Sequence, residues 1–389
     1  MTLRHSLLII TLAFGTGLAF TLWKQDKLPG QTTPPPPVKV QEAEQPAPDI
    51  RTDAFTLRLL HAAMQSNEGN ILLLPHALTG ALSTLHKLSD GATKPALEAL
   101  QLSSEAIPTA EKDGEVTLFF ADRELALKDS PELEEIMPVA MGEQWADGLQ
   151  MINNLMSGVT GEQDALFLTG DHLTPETKLL GIFSLSLHPV WQLPLRAQKE
   201  NGTDFFNANG SMPRIRALQC SGMIRHTKAE DGSWQAVALY MKLSPASAED
   251  TCLLLVMPGG NSARDFALAL TPELLTTIRK AVAEAEPASH CVEFPRIVFN
   301  PPAQEMKPVL EQLGLQQLFS PEADLSGLTA DKPCALHAML QKCRIPLAET
   351  DANIPDDVAD IRFDKPFLWF IGPLSSPAPP YALGIVENM

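Results

Sequence analysis

The sequence predicts an α+β fold for one large domain, and three observations support this prediction. Some segments place apolar residues at helical spacing, as in AFTLRLLHAAM from Ala54. Other segments are short apolar runs typical of buried strands, as in TCLLLVMPGG from Thr251. The two kinds of segment do not alternate regularly as in a parallel βαβ fold. At 389 residues, of which 44% are hydrophobic, the chain can bury a substantial core.

Local signals place the expected elements along the chain. Thr271 precedes Pro272 at the start of TPELLTTIRKAVAEAE, a pattern typical of a capped helix start. Pro75 separates a short strand in NILLL from a helix that continues through Leu88. The other elements expected are helices from Thr52, after Gly91 and in AQEMKPVLEQLGL, and strands over 116–121, 125–127 and 179–191 and in SWQAVALYMKL, TCLLLVMPGG and CVEFPRIVF.

The chain is strongly acidic, with 29 Lys and Arg against 47 Asp and Glu and a formal net charge of −18. Such a surface repels phosphate backbones, and no run of Lys and Arg provides a local exception. Nucleic acid is therefore not expected as a partner.

The five cysteines indicate neither disulfides nor a metal site. Their number is odd, their spacing is wide, and no CxxC pair occurs among Cys220, Cys252, Cys291, Cys334 and Cys343. We expect buried free thiols, which behave as small hydrophobic side chains, and no metal or cofactor.

An apolar segment near the N-terminus predicts export of the chain. Residues 6–23 form a run of 18 uncharged, mostly apolar residues before Lys24. This length suits a membrane-spanning helix, so we expect a signal anchor over 1–24, with a signal peptide cleaved after Ala19 as the alternative. The Pro-rich residues 25–50 are expected to hold a folded domain, 51–389, away from the bilayer. Its expected location is extracytoplasmic: the cell surface, the periplasm or the medium.

Motifs of known enzyme classes are missing from the sequence. It contains no GxSxG, HExxH, Walker or GxGxxG pattern, and the histidines are spread singly. PGGNSARD, residues 258–265, lacks the Lys-Ser/Thr that follows a phosphate-binding loop and is interpreted as a surface turn. We do not expect an enzyme.

Several blocks of the sequence resemble one known family. LEQLGLQQLFSPEADLSGLTADKP, FDKPFLWFI and LGIVENM follow one another to the C-terminus, and NILLLPHALTGALSTLHKLSDGATKPALEAL and LTPETKLLGIFSLSLHPVWQLPL precede them in order. These blocks resemble those of the serpins, from about residue 52 to the end of the chain. The resemblance implies the serpin fold: a single large domain of three β-sheets surrounded by eight or nine helices.

The resemblance also implies a reactive loop near the C-terminus and a monomer whose partner is a serine or cysteine protease. In inhibitory serpins the protease cuts this loop, which then inserts as a new strand and traps the protease as an acyl-enzyme. The candidate loop and hinge residues are Glu349, Thr350, Asp351, Ala352, Asn353, Ile354, Pro355, Asp356, Asp357, Val358, Ala359, Asp360, Ile361 and Arg362. The candidate residues of the sheet-opening region are Leu74, Pro75, Ala77, Phe183, Trp191 and Gln341.

Three features of the candidate loop disfavour trapping. If the cut followed Val358, nine residues from Thr350 would insert, which span about 30 Å. Aspartates occupy both odd and even positions of the loop, so an inserted strand would bury a carboxylate whichever set of side chains faced the core. In addition, Pro355 lacks the N–H that a central strand needs for its hydrogen bonds. The hinge carries Thr350 and Asp351 where trapping serpins have small residues.

Three functional hypotheses follow from these features. The first is a serine-type endopeptidase inhibitor, acting by trapping or by reversible blocking, with an acidic loop suited to a basic protease cleft. The second is a non-inhibitory serpin that acts as a surface binding or structural scaffold. In the third, the acidic segment is only a solvated connection without a partner.

Overall fold

The computed structural model describes residues 50–102, 114–130, 133, 136–161, 167–197, 202–243, 251–297, 300–331, 334–346, 359–375 and 378–389. These residues belong to one compact unit that spans 45–389. The expected anchor, 6–23, and the Pro-rich segment before residue 50 lie outside the described residues. None of the helices in the described part combines the length and the apolar character needed to cross a bilayer.

Helices and strands are both abundant, as the sequence predicts. The described residues contain seven α-helices, against the eight or nine that the resemblance implies: α1 Ile50–Ser66, α2 Pro75–Leu88, α3 Thr93–Glu98, α4 Trp145–Thr160, α5 Ala263–Ala269, α6 Pro272–Glu284 and α7 Lys307–Gln312. Three short 3-10 helices add to these: Gly142–Gln144, Gly170–His172 and Gln316–Phe319. The strands are β1 Ile71–Leu73, β2 Glu115–Asp122, β3 Ile136–Val139, β4 Leu179–Ser186, β5 Val190–Trp191, β6 Arg196–Ala197, β7 Thr203–Asp204, β8 Arg214–Ile215, β9 Ala217–Lys228, β10 Trp234–Lys242, β11 Thr251–Pro258, β12 Ala288–Pro295, β13 Gln304–Glu305, β14 Leu336–Arg344, β15 Ile361–Arg362, β16 Phe367–Gly372 and β17 Ala382–Val386.

These strands form three sheets, which confirms the predicted α+β fold. A ten-stranded sheet has the order β1-β17-β16-β11-β10-β9-β12-β15, with β5 beside β10 and β6 beside β9. A five-stranded sheet has the order β13-β14-β4-β2-β3, and β7 and β8 form a separate pair. In the five-stranded sheet, β14 lies directly against β4 in a parallel register from Leu336 to Arg344.

Strand β4 is the centre of the five-stranded sheet and is buried along its whole length. Leu179, Phe183 and Leu185 pack into the main core, which also takes the apolar face of α2. Leu180 and Ile182 point to the other face and pack with α4 in a second core. Burial on both faces explains why this strand is a continuous apolar run rather than an alternating one.

The predicted start of α6 is confirmed in detail. The Thr271 side chain accepts a hydrogen bond from the Leu274 N–H at 3.2 Å, and Pro272 occupies the first turn. The antiparallel pairing of β10 with β11 matches the predicted hairpin-like arrangement. All five cysteines are free and buried, as expected.

Two strand predictions were wrong. Residues 125–127 contain only an isolated antiparallel bridge from Leu127 to Thr329. Asp122 ends β2 in a turn, where its side chain accepts from the Glu124 N–H and its carbonyl accepts from the Leu125 N–H. The expected long strand over 179–191 is two strands in two sheets. Strand β4 ends at Ser186, and β5 begins after Pro189 and pairs with β10 instead.

Candidate functional site

The candidate reactive loop has two described ends and an undescribed middle. Glu349, Thr350, Asp351, Ala352, Asn353, Ile354, Pro355, Asp356, Asp357 and Val358 lie outside the described residues. On the N-terminal side the described chain leaves β14 and stops at Pro346, which is exposed. On the C-terminal side it resumes at Ala359 and enters β15, which pairs in parallel with β12.

A clasp of three hydrogen bonds fixes the C-terminal end of the loop to β12. The Asp360 carboxylate accepts from the Cys291 N–H at 2.7 Å and from His290 Nδ1 at 2.7 Å. The Asp360 N–H donates to the Cys291 carbonyl at 3.1 Å. Beyond this clasp, the Phe363 N–H donates to the Glu293 carbonyl at 2.8 Å. Asp360 thus joins its backbone and its side chain to one neighbouring strand.

The described residues at the C-terminal end of the candidate loop are largely buried or paired. Ala359 and Ile361 are buried, at 8% and 4% exposure, and Ile361 and Arg362 belong to a strand. Their burial has a simple cause, because Ile361 is apolar and the chain continues into the buried Phe363. The segment between the described ends is 347–358, and its extended length is about 40 Å.

The Asp360 carboxyl makes the stability of the clasp depend on pH. Partial burial raises the pKa of the Asp360 carboxyl, but the hydrogen bonds from His290 and Cys291 outweigh it and lower the pKa below its usual value. A carboxyl with a lowered folded-state pKa stabilises the fold above its unfolded pKa, and this contribution is lost as the pH falls through the folded pKa. Acid therefore weakens the clasp. The neighbouring His226 ring lies edge-on to His290, with centroids 5.3 Å apart, and burial lowers the pKa of His226.

The structure brings two residues of the predicted sheet-opening region into direct contact. Phe183 of β4 and Gln341 of β14 occupy facing positions in the parallel register. Phe183 is fully buried, and Gln341 is 2% exposed. Gln341 Nε2 donates to the Leu72 carbonyl at 2.6 Å and to Gln304 Oε1 at 2.8 Å. Gln341 therefore links the five-stranded sheet to β1 of the ten-stranded sheet.

The start of α2, a helix that packs against β2 and β4, buries three apolar side chains. Leu74, Pro75 and Ala77 are all buried, and α2 begins without a side-chain cap. Trp191 lies apart from this group: it is in β5, where it faces Met241 of the ten-stranded sheet.

One pair at the sheet-opening region was missed by the sequence analysis. His76 in the first turn of α2 contacts Glu115, the first residue of β2, with 2.6 Å between Nδ1 and Oε2. Their side chains are only 4% and 13% exposed. The His76 ring also lies edge-on to Tyr381, and the backbone N–H of His76 donates to the Pro380 carbonyl. The two residues are 39 positions apart, so no local pattern joins them.

We expect that His76→Leu destabilises the fold by about 2–3 kcal/mol, because it leaves a buried carboxylate without its partner. Equilibrium unfolding in urea measures the loss. His86 provides a matched control, since its 3.3 Å contact with Glu98 is exposed and His86→Leu should cost less than about 0.5 kcal/mol. The double variant His76→Leu/Glu115→Leu should recover part of the loss. Equal losses for His76→Leu and His86→Leu would contradict a stabilising role for the buried pair.

We expect that Asp360→Ala increases hydrogen exchange at the Cys291 amide at least about tenfold, because the amide loses its carboxylate acceptor. Peptide-level exchange measured by mass spectrometry tests this. Asp357→Ala removes the same charge from the undescribed loop and should leave the Cys291 amide protected. If both variants behave alike, the protection does not come from the clasp.

Comparisons with known proteins agree with this architecture. A family model described as Serpin (serine protease inhibitor) matches residues 134–378, which is more than half of the chain. Alpha-1-antitrypsin of Sus scrofa is 24% identical over 366 residues, covering 84% of this chain and 83% of its own. Iripin-3 of Ixodes ricinus is 21% identical over 364 residues, covering 83% of this chain and 90% of its own.

Solved structures share the fold at low sequence identity. Uncleaved ovalbumin superposes with a TM-score of 0.71 and 14% sequence identity, and the match covers 88% of this chain and 100% of the ovalbumin chain. Thyroxine-binding globulin in complex with thyroxine gives a TM-score of 0.69 and 17% identity, covering 87% of this chain and 98% of its own. On the strength of the family model and of this shared fold, the chain belongs to the serpin family of serine protease inhibitors.

Proposed function

We propose that this serpin-family chain is exported and blocks a serine-type endopeptidase reversibly through its short acidic loop, without inserting the loop as a strand. The observation that carries this proposal is the burial of β4 on both faces where it meets β14. Because the loop follows β14 and β14 pairs with β4, we take the insertion point to be between these two strands. The side chains of an inserted strand would then meet apolar surfaces on both faces of the sheet. The candidate loop and hinge residues 349–362 are proposed as the contact with the protease.

The loop sequence fits poorly into that position. Leu179 and Phe183 line one side of β4, and Leu180 and Ile182 line the other. Within 350–358, the aspartates at 351 and 357 lie at odd positions and point to one face of an inserted strand, and the aspartate at 356 points to the other face. Each register therefore places carboxylates against a buried apolar surface, where an unpaired charge is strongly disfavoured.

The sheet-opening residues support the same conclusion. Insertion moves Phe183 and Gln341 from adjacent strands to a separation of two strand spacings, about 9–10 Å. The Phe183 ring would lose its packing against the main core, and the Gln341 amide is already held by Leu72 and Gln304. These contacts favour the closed sheet.

The proposal predicts that cutting the loop leaves thermal stability unchanged. The full chain in detergent is nicked with subtilisin within 350–358, the cut is located by mass spectrometry, and the unfolding midpoint is followed by circular dichroism. We expect no rise in the midpoint, no SDS-stable adduct with subtilisin, and recovery of protease activity on dilution. A rise of tens of degrees together with an SDS-stable adduct would show trapping and overturn the proposal.

A variant of the loop tests whether its carboxylates and its proline, rather than its length, prevent insertion. Replacing Asp351, Pro355, Asp356 and Asp357 by Ser keeps the length and removes three carboxylates and the proline. If the carboxylates prevent insertion, the nicked variant gains stability while the nicked parent does not. If neither gains stability, the length of the loop is the limiting factor.

A non-inhibitory binding or structural scaffold is the second candidate, and the apolar contacts of Leu74, Ala77 and Phe183 favour it because they oppose opening of the sheet. Thyroxine-binding globulin shares the fold and is described in complex with thyroxine, so this fold can serve ligand binding. The test is to assay a panel of serine and cysteine proteases in the presence of an excess of this protein. Full activity of every protease would favour this candidate.

We further propose that residues 1–24 anchor the chain in a membrane and that 25–50 separate the anchor from the domain 51–389, outside the cytoplasm. The support is the run of 18 uncharged residues over 6–23. We expect the expressed full chain to stay in the membrane fraction after alkaline carbonate washing, with an intact mass that includes residues 1–19. A soluble product that begins after Ala19 would show a cleaved signal peptide instead.

A further inference from the structure

Two histidine rings and the carboxylate of the clasp lie together at the C-terminal end of the candidate loop. His290 of β12 contacts Asp360 through Nδ1 at 2.7 Å, and its ring lies edge-on to His226 of β9, with ring centroids 5.3 Å apart. His290 faces Gly222 across the pairing of β9 with β12. Every second residue of a strand points to the same face, so Gly222 and His226 share the face on which His290 lies. A second histidine therefore lies beside the clasp without taking part in its three hydrogen bonds.

The His226 ring is poorly placed to carry a positive charge. Its Nε2 is shielded from solvent and has no hydrogen-bond partner among the described residues. An imidazolium donates from both ring nitrogens, so a proton on His226 would leave a buried N–H without an acceptor. Burial lowers the pKa of His226 below its ordinary value of 6.5 and outweighs the hydrogen bond with Gln235, which raises it.

The charged groups around His226 come from three strands. His290 on β12 and Lys228 on β9 disfavour the charged form of the ring, whereas Asp360, which precedes β15, favours it. Strand β10 faces His226 with Val237, which is uncharged. If both rings were protonated, two like charges would stand 5.3 Å apart.

The charges of α6, which packs against β9 and β10, are engaged elsewhere or exposed. Arg279 pairs with the buried Asp53 at 2.9 Å. Arg225 of β9 donates to backbone carbonyls at the end of this helix. The remaining charged residues of α6 are exposed: Glu273, Lys280 and Glu284. Solvent screens exposed charges, so the two histidines and the clasp carboxylate dominate one another's titration.

We infer that His226 is the group through which mild acid releases the C-terminal end of the loop from β12, an inference that rests on the proposed function of the loop. A proton on His290 keeps the contact with Asp360, because an imidazolium still donates through Nδ1. A second proton, on His226, adds a like charge beside the first and a buried N–H without an acceptor. Loosening of this corner of the sheet admits water to both rings and relieves both costs. The loop is then held for a protease at neutral pH and freed in mild acid.

His226 and Asp360 titrate in different pH ranges. A histidine with a lowered folded-state pKa stabilises the fold above its unfolded pKa of about 6.5, and this contribution is lost as the pH falls through the folded-state pKa. The pKa of Asp360 is lowered below its ordinary value of 3.8, so this carboxylate stays ionised in mild acid. Weakening of the clasp in mild acid therefore reports His226 and not Asp360.

Hydrogen exchange at the Cys291 amide measures the release, because this N–H donates to the Asp360 carboxylate. The full chain in detergent is compared at about pH 7.5 and about pH 5.5, on either side of the ordinary histidine pKa. The intrinsic exchange rate at each pH is divided by the observed rate, which gives a protection factor. We expect protection at Cys291 to fall about three- to tenfold in the parent chain and to stay unchanged in His226→Gln, whose side chain takes no proton. His226→Asn is the second variant without a titrating ring and replaces His226→Gln if that variant does not fold.

His337→Gln is the matched control. Burial lowers the pKa of His337 as well, but His337 belongs to β14 in the other large sheet. If acid acted on Cys291 through the stability of the whole fold, the two glutamine variants would reduce the pH response equally. We expect His337→Gln to keep the response of the parent chain. Peptides from β4 report global opening, and their protection should change less than that of Cys291.

Three results would overturn the inference. They are constant protection at Cys291 in the parent chain, an unaltered pH response in His226→Gln, and an equal loss of the response in His226→Gln and His337→Gln. No protease takes part in the measurement. A chain that shows the switch but inhibits no protease would therefore support the role of His226 and contradict only the proposed function.

Discussion

The direct pairing of β4 with β14 is the constraint on which the other features of this molecule depend. Strand β4 is buried on both faces, so it joins the main core to the second core beneath α4. Any motion that separates β4 from β14 must open both cores at once. Gln341 adds a polar link from the same place to β1 of the ten-stranded sheet. The state of this one strand pair therefore decides whether the fold is static or can accept a further strand.

Much of the fold could be predicted because the relevant signals are local. Thr271 and Pro272 define the start of α6, and the apolar runs of β10 and β11 indicate adjacent strands. Helix α4 was not predicted, since Gly148 and Asn153 lower helix propensity in its sequence. Both residues have structural roles there. A Cβ atom on Gly148 would lie 1.9 Å from the Ala140 carbonyl, and Asn153 binds the backbone of Phe167 and Leu168.

The site was less predictable, because its defining contacts join distant parts of the chain. The sequence shows His76 and His290 as isolated histidines, yet each contacts a carboxylate 39 or 70 positions away. Sequence blocks located the sheet-opening residues, and the structure then placed Phe183 opposite Gln341. Trp191, grouped with them by the sequence, lies in the other sheet because Pro189 and the end of β4 separate the two strands. Only the strand pairing in the folded structure shows that Phe183 and Gln341 are neighbours and that Trp191 is not beside them.

A loop that is fixed at one end suits a different function from a loop that must insert into a sheet as a new strand. Transfer of a strand into a sheet needs a long, uncharged segment, whereas reversible binding gains when a segment has little conformational freedom to lose. The clasp at Asp360 uses backbone and side-chain bonds to hold the loop at β12, and Ala359 is already buried. Such anchoring lowers the entropy cost of presenting the loop to a partner. The clasp at Asp360 is therefore compatible with the proposed reversible binding at a fixed position.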